Sequence, residues 1–286
     1  MHTLQLKEYL HKCILGNITK NVQNSREEGI SLMALARVVR QPLTMASIER
    51  DWSGCRKCAI GSKCQHHVFW GFVGDVVFTK ADIVIIGEGP GKVEDVRGET
   101  FRGPAGKLLR QAIEDAGPQC LYCDGEGSVV DEESKDIRLE MMYGAGIFML
   151  PLKTCPKCAG YGSTRICLLN LLVCRPYAGK PQGAGNRPPT VGEAMNCLPR
   201  LVDSIQVLNP AIIVAAGKEA ADFLPLIRER LNNDRGMFCY ACKITHPSAI
   251  ARNGGVKSPL YPKYVESIRE ILKFNKEVKQ KGYYSG

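Results

Sequence analysis

The chain lacks an apolar run approaching the ~20 residues that a membrane-spanning helix requires. Nor does its amino end resemble a secretory leader, because Lys7, Glu8, His11 and Lys12 interrupt Met1 to Gly16. No membrane partner is therefore expected. The loop Gly87-Glu-Gly-Pro-Gly-Lys92 also lacks what nucleotide binding needs. Its Gly91 comes one position early for G-x-G-x-x-G, and Val93 stands where a P-loop has Ser or Thr. Histidine is scarce at five residues, so the net charge of +9 is permanent at neutral pH. That surplus suits a polyanionic partner without specifying one. The 44% hydrophobic and 23% charged fractions are those of an ordinary globular protein. A length of 286 residues suffices for one large domain or two modest ones.

Cysteine is what the chain has in excess. There are thirteen, eight of them in four C-x-x-C pairs, which read as metal ligation in a reducing compartment and not as a disulfide framework. Cys120-Leu-Tyr-Cys123-Asp-Gly-Glu-Gly127 and Cys155-Pro-Lys-Cys158-Ala-Gly-Tyr-Gly162 repeat one C-x-x-C-x-G-x-G unit. Together Cys120, Cys123, Cys155 and Cys158 supply the four thiolates that tetrahedral Zn²⁺ takes, and the glycines allow a tight turn around each pair. Upstream, Cys55-Arg-Lys-Cys58 with Cys64 close behind forms a second knot, beside His66 and His67. Cys239-Tyr-Ala-Cys242 has the same spacing but falls on an expected strand, where such thiols point to opposite faces. These two, with Cys13, Cys64 and Cys167, are expected to be packing or spare thiols.

Along the chain, residues 1–50 read as a helical extension. Ile30, Leu32, Met33, Leu35, Ala36 and Val39 give it an amphipathic stretch ending before Pro42. The main domain then spans 51–286, with the zinc-binding insert at 118–165 inside it. The β-branched run Ala81 to Ile86 enters the glycine loop and reads as a strand buried on both faces. Pro104 suits the first turn of a helix in which Ala105, Leu108, Leu109, Ala112, Ile113 and Ala116 keep helical spacing. Ile166 to Val173 is a second strand. Thr190-Val-Gly-Glu193 fits a capping box, and Asn209-Pro210 closes the helix it opens. Ala211 to Ala216 is a third strand, followed by a helix to about Leu231; Met237 to Thr245 is a fourth. A basic amphipathic helix from Pro262 to Lys279 completes the chain. This alternation predicts an α/β fold, a three-layer α/β/α sandwich around a central, mostly parallel four-stranded sheet. Functional residues in such sheets collect beyond the carboxyl ends of the strands, where Glu88, Cys174 and His246 fall.

Several segments resemble the uracil-DNA glycosylase superfamily, specifically its iron–sulfur family 4 of bacteria, archaea and some phages. They are Gly87-Glu-Gly-Pro-Gly91, Glu94-Asp95, Gly98-Glu-Thr-Phe101-Arg-Gly103-Pro-Ala-Gly106-Lys-Leu-Leu109, Leu168-Leu-Asn170-Leu-Leu-Val-Cys174-Arg-Pro176, Asn186-Arg-Pro-Pro-Thr190 and His246-Pro-Ser-Ala-Ile-Ala-Arg252. They stand in the family's order over about 55 to 280, apart from the insert. The resemblance implies removal of uracil from single- or double-stranded DNA by hydrolysis of its glycosidic bond, leaving an abasic site. It implies a monomer in the cytoplasm of a bacterial, archaeal or phage-infected cell. Glu88 would stabilise the sugar cation and orient water, and His246 would donate to the uracil oxygen where charge accumulates. Asn170 would read the flipped base, Phe101 would stack on it, and Gly87 and Gly89 would border the pocket. Pro90, Gly91, Ser248 and Arg252 would hold flanking phosphates. Cys55, Cys58, Cys174 and Cys197 would carry a [4Fe–4S] cluster of structural role.

The chain departs from the family in three places. Thr100-Phe101-Arg102 replaces the usual Pro-Phe-Val, which alters the expected floor of the base pocket and, with Arg102 as the clue, leaves another modified pyrimidine open as the target. Twenty-two residues separate Cys174 from Cys197, a longer gap than usual, and Cys64 stands as the rival cluster ligand. The two-pair insert is foreign to ordinary members and resembles the cysteine-rich repeats of the DnaJ chaperone family. A metal-stapled DNA-binding module without catalysis is the alternative from another class.

Overall fold

The computed structural model describes residues 43–74, 77–119, 128–130, 152–155, 162–179 and 185–280. The chain divides into two compact units, Met1–Leu43 and Thr44–Gly286. The amphipathic stretch expected between Ile30 and Val39 lies outside the described residues. All elements below belong to the second unit. Its first helix is α1 (Met45–Trp52), where the Thr44 and Ser47 side chains cap each other's backbone N–H groups.

Five strands form the central sheet: β1 (Gly71–Phe72), β2 (Ile83–Gly87), β5 (Ile166–Asn170), β6 (Ile212–Ala216) and β7 (Tyr240–Ile244). Their spatial order is β1-β5-β2-β6-β7. The last four are parallel, as expected. The short β1 pairs antiparallel with β5 and makes the sheet five-stranded, which corrects the expected four. Two residues are too few to show an alternating pattern. Every residue of β2, β5 and β6 is buried, which explains their unbroken apolar runs. A separate antiparallel pair, β3 (Ser128–Val130) and β4 (Leu152–Thr154), lies within the insert. Where the insert leaves the domain, Gln119 bridges Ser163 and the Thr164 N–H donates to the Pro118 carbonyl at 2.8 Å.

The helices are α2 (Lys92–Arg97), α3 (Pro104–Asp115), α4 (Val191–Leu208), α5 (Lys218–Arg235), α6 (Pro247–Arg252) and α7 (Tyr261–Gln280). Leu109 and Ile113 of α3, Ile250 of α6, and Tyr264, Ile268 and Leu272 of α7 form one buried cluster with Ile83, Ile85, Leu168 and Val214 of the sheet. On the other side α4 packs on α5, and α5 on β6. The expected capping box holds: Glu193 N–H donates to Thr190 Oγ1 at 3.2 Å and Thr190 N–H to Glu193 Oε2 at 2.8 Å. Asn209 ends α4 in the left-handed conformation, φ +47°. Below the sheet, fully buried Asp82 accepts from Arg165 Nη2 at 2.6 Å and Lys279 Nζ at 2.8 Å, tying α7 to the starts of β2 and β5. No helix among the described residues is long and apolar enough to cross a membrane.

Candidate active site and metal centre

The order β5-β2-β6 reverses the chain's direction of travel at β2, which opens a crevice at the carboxyl ends of the strands. Gly87 lies opposite Asn170 there. A Cβ at position 87 would stand 2.6 Å from Asn170 Oδ1 and 2.6 Å from Phe101 Cζ. The amide and the ring therefore both lean over the gap that the glycine leaves. Asn170 is 4% exposed and Phe101 6%. Phe101 has φ +57°, a strained conformation for an aromatic residue. Arg110 holds this turn, donating to Phe101 O at 3.3 Å, Thr100 O at 3.3 Å and Phe72 O at 2.5 Å. Gly106 lets α3 approach it, because a Cβ there would be 2.2 Å from the Phe101 carbonyl.

Glu88 follows β2 directly and is half-buried. Burial first, then the negative charge of Glu219, pushes its carboxyl up to about 7. His246 caps α6 after β7. Its Nδ1 accepts the Ser248 N–H at 3.1 Å and lies 2.7 Å from Ser248 Oγ. With Nδ1 accepting, the neutral ring carries its proton on Nε2. Burial holds the His246 pKa below its ordinary value, Glu219 opposing and Arg252 assisting. Glu219 thus acts on both Glu88 and His246. Gly217, at φ +98°, lets the ring approach, since a Cβ there would be 2.9 Å from His246 Cβ.

The glycine loop is held from two sides. Arg175 Nε donates to Asn186 Oδ1 at 2.8 Å, and Asn186 Nδ2 to the Pro90 carbonyl at 2.9 Å. Glu94 accepts from the N–H groups of Gly91, at 3.1 Å, and Gly103, at 2.7 Å. The N–H groups of Gly91 and Ser248, two residues expected to hold phosphates, therefore donate within the protein. Gly89 packs against Pro176, and Arg252 is exposed at the end of α6. Arg102 is the residue expected to alter the floor of the base pocket. It pairs with Glu99 at 2.7 Å and lines a cavity of about 260 Å³ whose described lining includes none of Gly87, Asn170 or Phe101.

The cysteines expected to carry a cluster also come together. Cys58 is acted on by Cys197 and Cys55, Cys174 by Cys197 and Cys58, and Cys197 by Cys55. Asn196 Nδ2 on α4 donates to the Lys57 carbonyl at 3.0 Å and docks the helix on the knot. Cys64 is nearer this centre than a spare thiol would be. Its Sγ, the His67 ring and Cys174 Sγ lie within 4.8 Å of one another. The hydrogen bond to Cys174 pulls the Cys64 thiol down to about 5 and pushes Cys174 up.

Arg200 tests whether an anionic group fits here. It is fully buried, its Nε and Nη1 lack oxygen or nitrogen acceptors, and the thiols of Cys197, Cys174 and Cys55 act on it, Cys197 also as a hydrogen-bond partner. A buried cation of this kind is stable beside metal-bound thiolates, which carry negative charge, and not beside neutral thiols. The residues fit the group. Of the expected zinc ligands, Cys120, Cys123 and Cys158 lie outside the described residues, and Cys155 is buried after β4. Cys239, one residue before β7, lines a cavity beside Arg228 of α5, whereas Cys242 of β7 packs toward the α3–α7 cluster.

Sequence reasoning missed Glu219, Arg110 and Arg200. Each is a charged residue on a helix, where charge ordinarily marks a solvated face. For Arg200 the signal was its position three residues after Cys197, on the same helical face.

A family model described as the uracil DNA glycosylase superfamily matches residues 74–273. The type-4 uracil-DNA glycosylase of Archaeoglobus fulgidus is 29% identical over 181 residues, 63% of this chain and 63% of that protein. The enzyme of that name from Saccharolobus solfataricus is 26% identical over 227 residues, 73% of this chain and 82% of that protein. The one from Thermotoga maritima is 30% identical over 141 residues, 49% of this chain and 47% of that protein. The match thus spans less than two thirds of the Archaeoglobus and Thermotoga proteins.

Proposed function

Because the chain belongs to the uracil DNA glycosylase superfamily, we propose that it hydrolyses the N-glycosidic bond of uracil in DNA and leaves an abasic site. The observation that carries this reading is the meeting of Asn170 and Phe101 over Gly87, with Glu88 one residue on. A nucleotide turned out of the stack presents its base face to Phe101 and its polar edge to Asn170. The Asn170 amide both donates and accepts, matching the O4 and N3–H of uracil. Cytosine presents the opposite pattern and leaves buried groups unpaired, at a cost of about 1–3 kcal/mol for each.

Cleavage builds positive charge on the sugar and negative charge on the departing base. The Glu88 carboxylate, once ionised, stabilises the first and orients the attacking water. The Nε2–H of neutral His246 donates to the uracil oxygen and stabilises the second. Gly89, Pro90, Gly91, Ser248 and Arg252 border the path of the flanking strand.

The proposal includes a [4Fe–4S] cluster on Cys55, Cys58, Cys174 and Cys197, with Cys64 beside it, and a structural Zn²⁺ on Cys120, Cys123, Cys155 and Cys158. Hydrolysis moves no electrons, so the cluster's part is to join the amino-terminal knot to α4 and β5. The protein acts as a cytoplasmic monomer on DNA. Base release from oligonucleotides carrying uracil, hydroxymethyluracil, hypoxanthine or thymine tests the reading. Uracil should be released fastest. Release of another base in preference to uracil would reassign the substrate.

A further inference from the structure

Arg200 takes no part in the proposed chemistry, yet it has 0% exposure. Removing a guanidinium from water is unfavourable unless an opposite charge accompanies it. One nitrogen, Nη2, donates to the carbonyl oxygens of Asn170 at 2.7 Å and Leu171 at 2.9 Å. Carbonyl dipoles satisfy donors but do not neutralise a charge. The remaining nitrogens, Nε and Nη1, meet no oxygen or nitrogen acceptor, and the Cys197 thiol is the group that the guanidinium meets on that side. The thiols of Cys197, Cys174 and Cys55 all lie close enough to act on the guanidinium.

The connections of these residues give the arrangement its meaning. Cys197 lies three residues before Arg200 on α4 and shares its face. Cys174 lies four residues after Asn170, so the short segment 170–174 has the base-reading amide at one end and a candidate metal ligand at the other. Arg200 meets this segment at its Asn170 end through hydrogen bonds and at its Cys174 end through charge.

We infer that Arg200 is a positioning residue that couples the metal centre to base recognition, pairing with the ligand thiolates while it fixes the carbonyl groups of Asn170 and Leu171. The inference rests on the proposed metal centre and on the proposed role of Asn170. It gives the centre a second effect beyond stapling the fold. When the thiolates lose their metal, Arg200 loses its counter-charge and the amide loses its anchor, so base preference weakens before the domain unfolds.

The test uses Arg200→Met and Arg200→Lys in the full chain, purified without oxygen. Iron content, the midpoint potential of the bound cluster, and KM and kcat on uracil- and cytosine-containing oligonucleotides are measured. Arg200→Met removes the charge beside the thiolates and should move the potential to more negative values. It should also raise KM for uracil-containing DNA roughly 10-fold, with a smaller change in kcat, and narrow the preference for uracil over cytosine. Arg200→Lys should keep the parent potential and still raise KM, because an ammonium does not reproduce the fork. If Arg200→Met does not fold, the Lys variant decides alone: a parent-like KM and base preference overturns the coupling. Iron-loaded variants with parent-like potential, KM and preference overturn it too. A parent that releases uracil but holds no iron overturns the metal reading and the coupling together. A parent that holds iron but releases no base overturns the proposed function, and the potential of Arg200→Met still decides whether the guanidinium pairs with the centre.

Discussion

Glu219, in the first turn of α5, acts on the Glu88 carboxyl with like charge, and together with burial this lifts Glu88 to about 7. Below pH 7 the acid form dominates, and the proposed chemistry needs the carboxylate. Uracil release should therefore rise with pH through about 7 and level off above it. Glu219→Gln removes the repulsion and should move the midpoint to lower pH. The same raised value carries a stability cost of definite sign. The protonated form is favoured in the fold, so this contribution is present below the ordinary value near 4.5 and lost as pH rises through about 7. Glu88→Gln should accordingly gain thermal stability over the parent at pH 8 and little at pH 5.

Gly87→Ala places a methyl group 2.6 Å from both Asn170 Oδ1 and Phe101 Cζ. Backbone on both sides is locked into the sheet, so the amide and ring must move. Overpacking of this kind costs about 1–3 kcal/mol of stability. Displacing two base contacts should lower uracil release by roughly 10²-fold. Single-turnover excision and thermal melting of the variant read both effects.

Asn170→Asp replaces an amide that donates and accepts with a carboxylate that only accepts. An acceptor suits the amino group of cytosine and not the O4 of uracil. The variant should lose uracil release and narrow the ratio of uracil to cytosine release at least several-fold. Paired oligonucleotides differing in that one base give the ratio.

Asp82 ties the starts of two strands to α7. Burial alone would raise its pKa, but the hydrogen bond from Arg165 and the charge of Lys279 hold it below the ordinary value. Its contribution is therefore present above the ordinary value of 3.8 and lost as pH falls through the lower, folded value. Asp82→Asn removes the buried carboxylate that two cations share and should cost about 3–5 kcal/mol at pH 7 in urea unfolding. That difference should shrink in acid. A constant difference down to pH 2 would count against the ion pair.

The parallel strands were legible because burial on both faces forces runs such as Ile83 to Ile86 and Ile212 to Ala216. The Thr190–Glu193 box and the Asn209 stop were equally plain, since caps use few residue types. Strand β5 ends at Asn170 and not at the expected Val173. Beyond it the N–H groups of Leu171 and Leu172 turn to the Gly87 and Glu88 carbonyls. Helix α2 escaped notice because its acidic residues, Glu94 and Asp95, are buried to cap backbone N–H groups and not solvated. Family motifs marked Glu88, Asn170, Phe101 and His246, but Glu219, which acts on Glu88 and His246, and Arg200, which bonds the Asn170 carbonyl, sit on helices far along the chain. Only folding brings them near.

The most direct measurement is single-turnover uracil release by Glu88→Ala, Asn170→Ala and His246→Ala beside the parent, with DNA affinity and melting temperature taken on the same preparations. One hollow lined by all three residues predicts that each variant keeps its fold and binds DNA near the parent level while release falls by at least roughly 10²-fold. Parent-rate release from Glu88→Ala and Asn170→Ala, or no release from the parent itself, would contradict it.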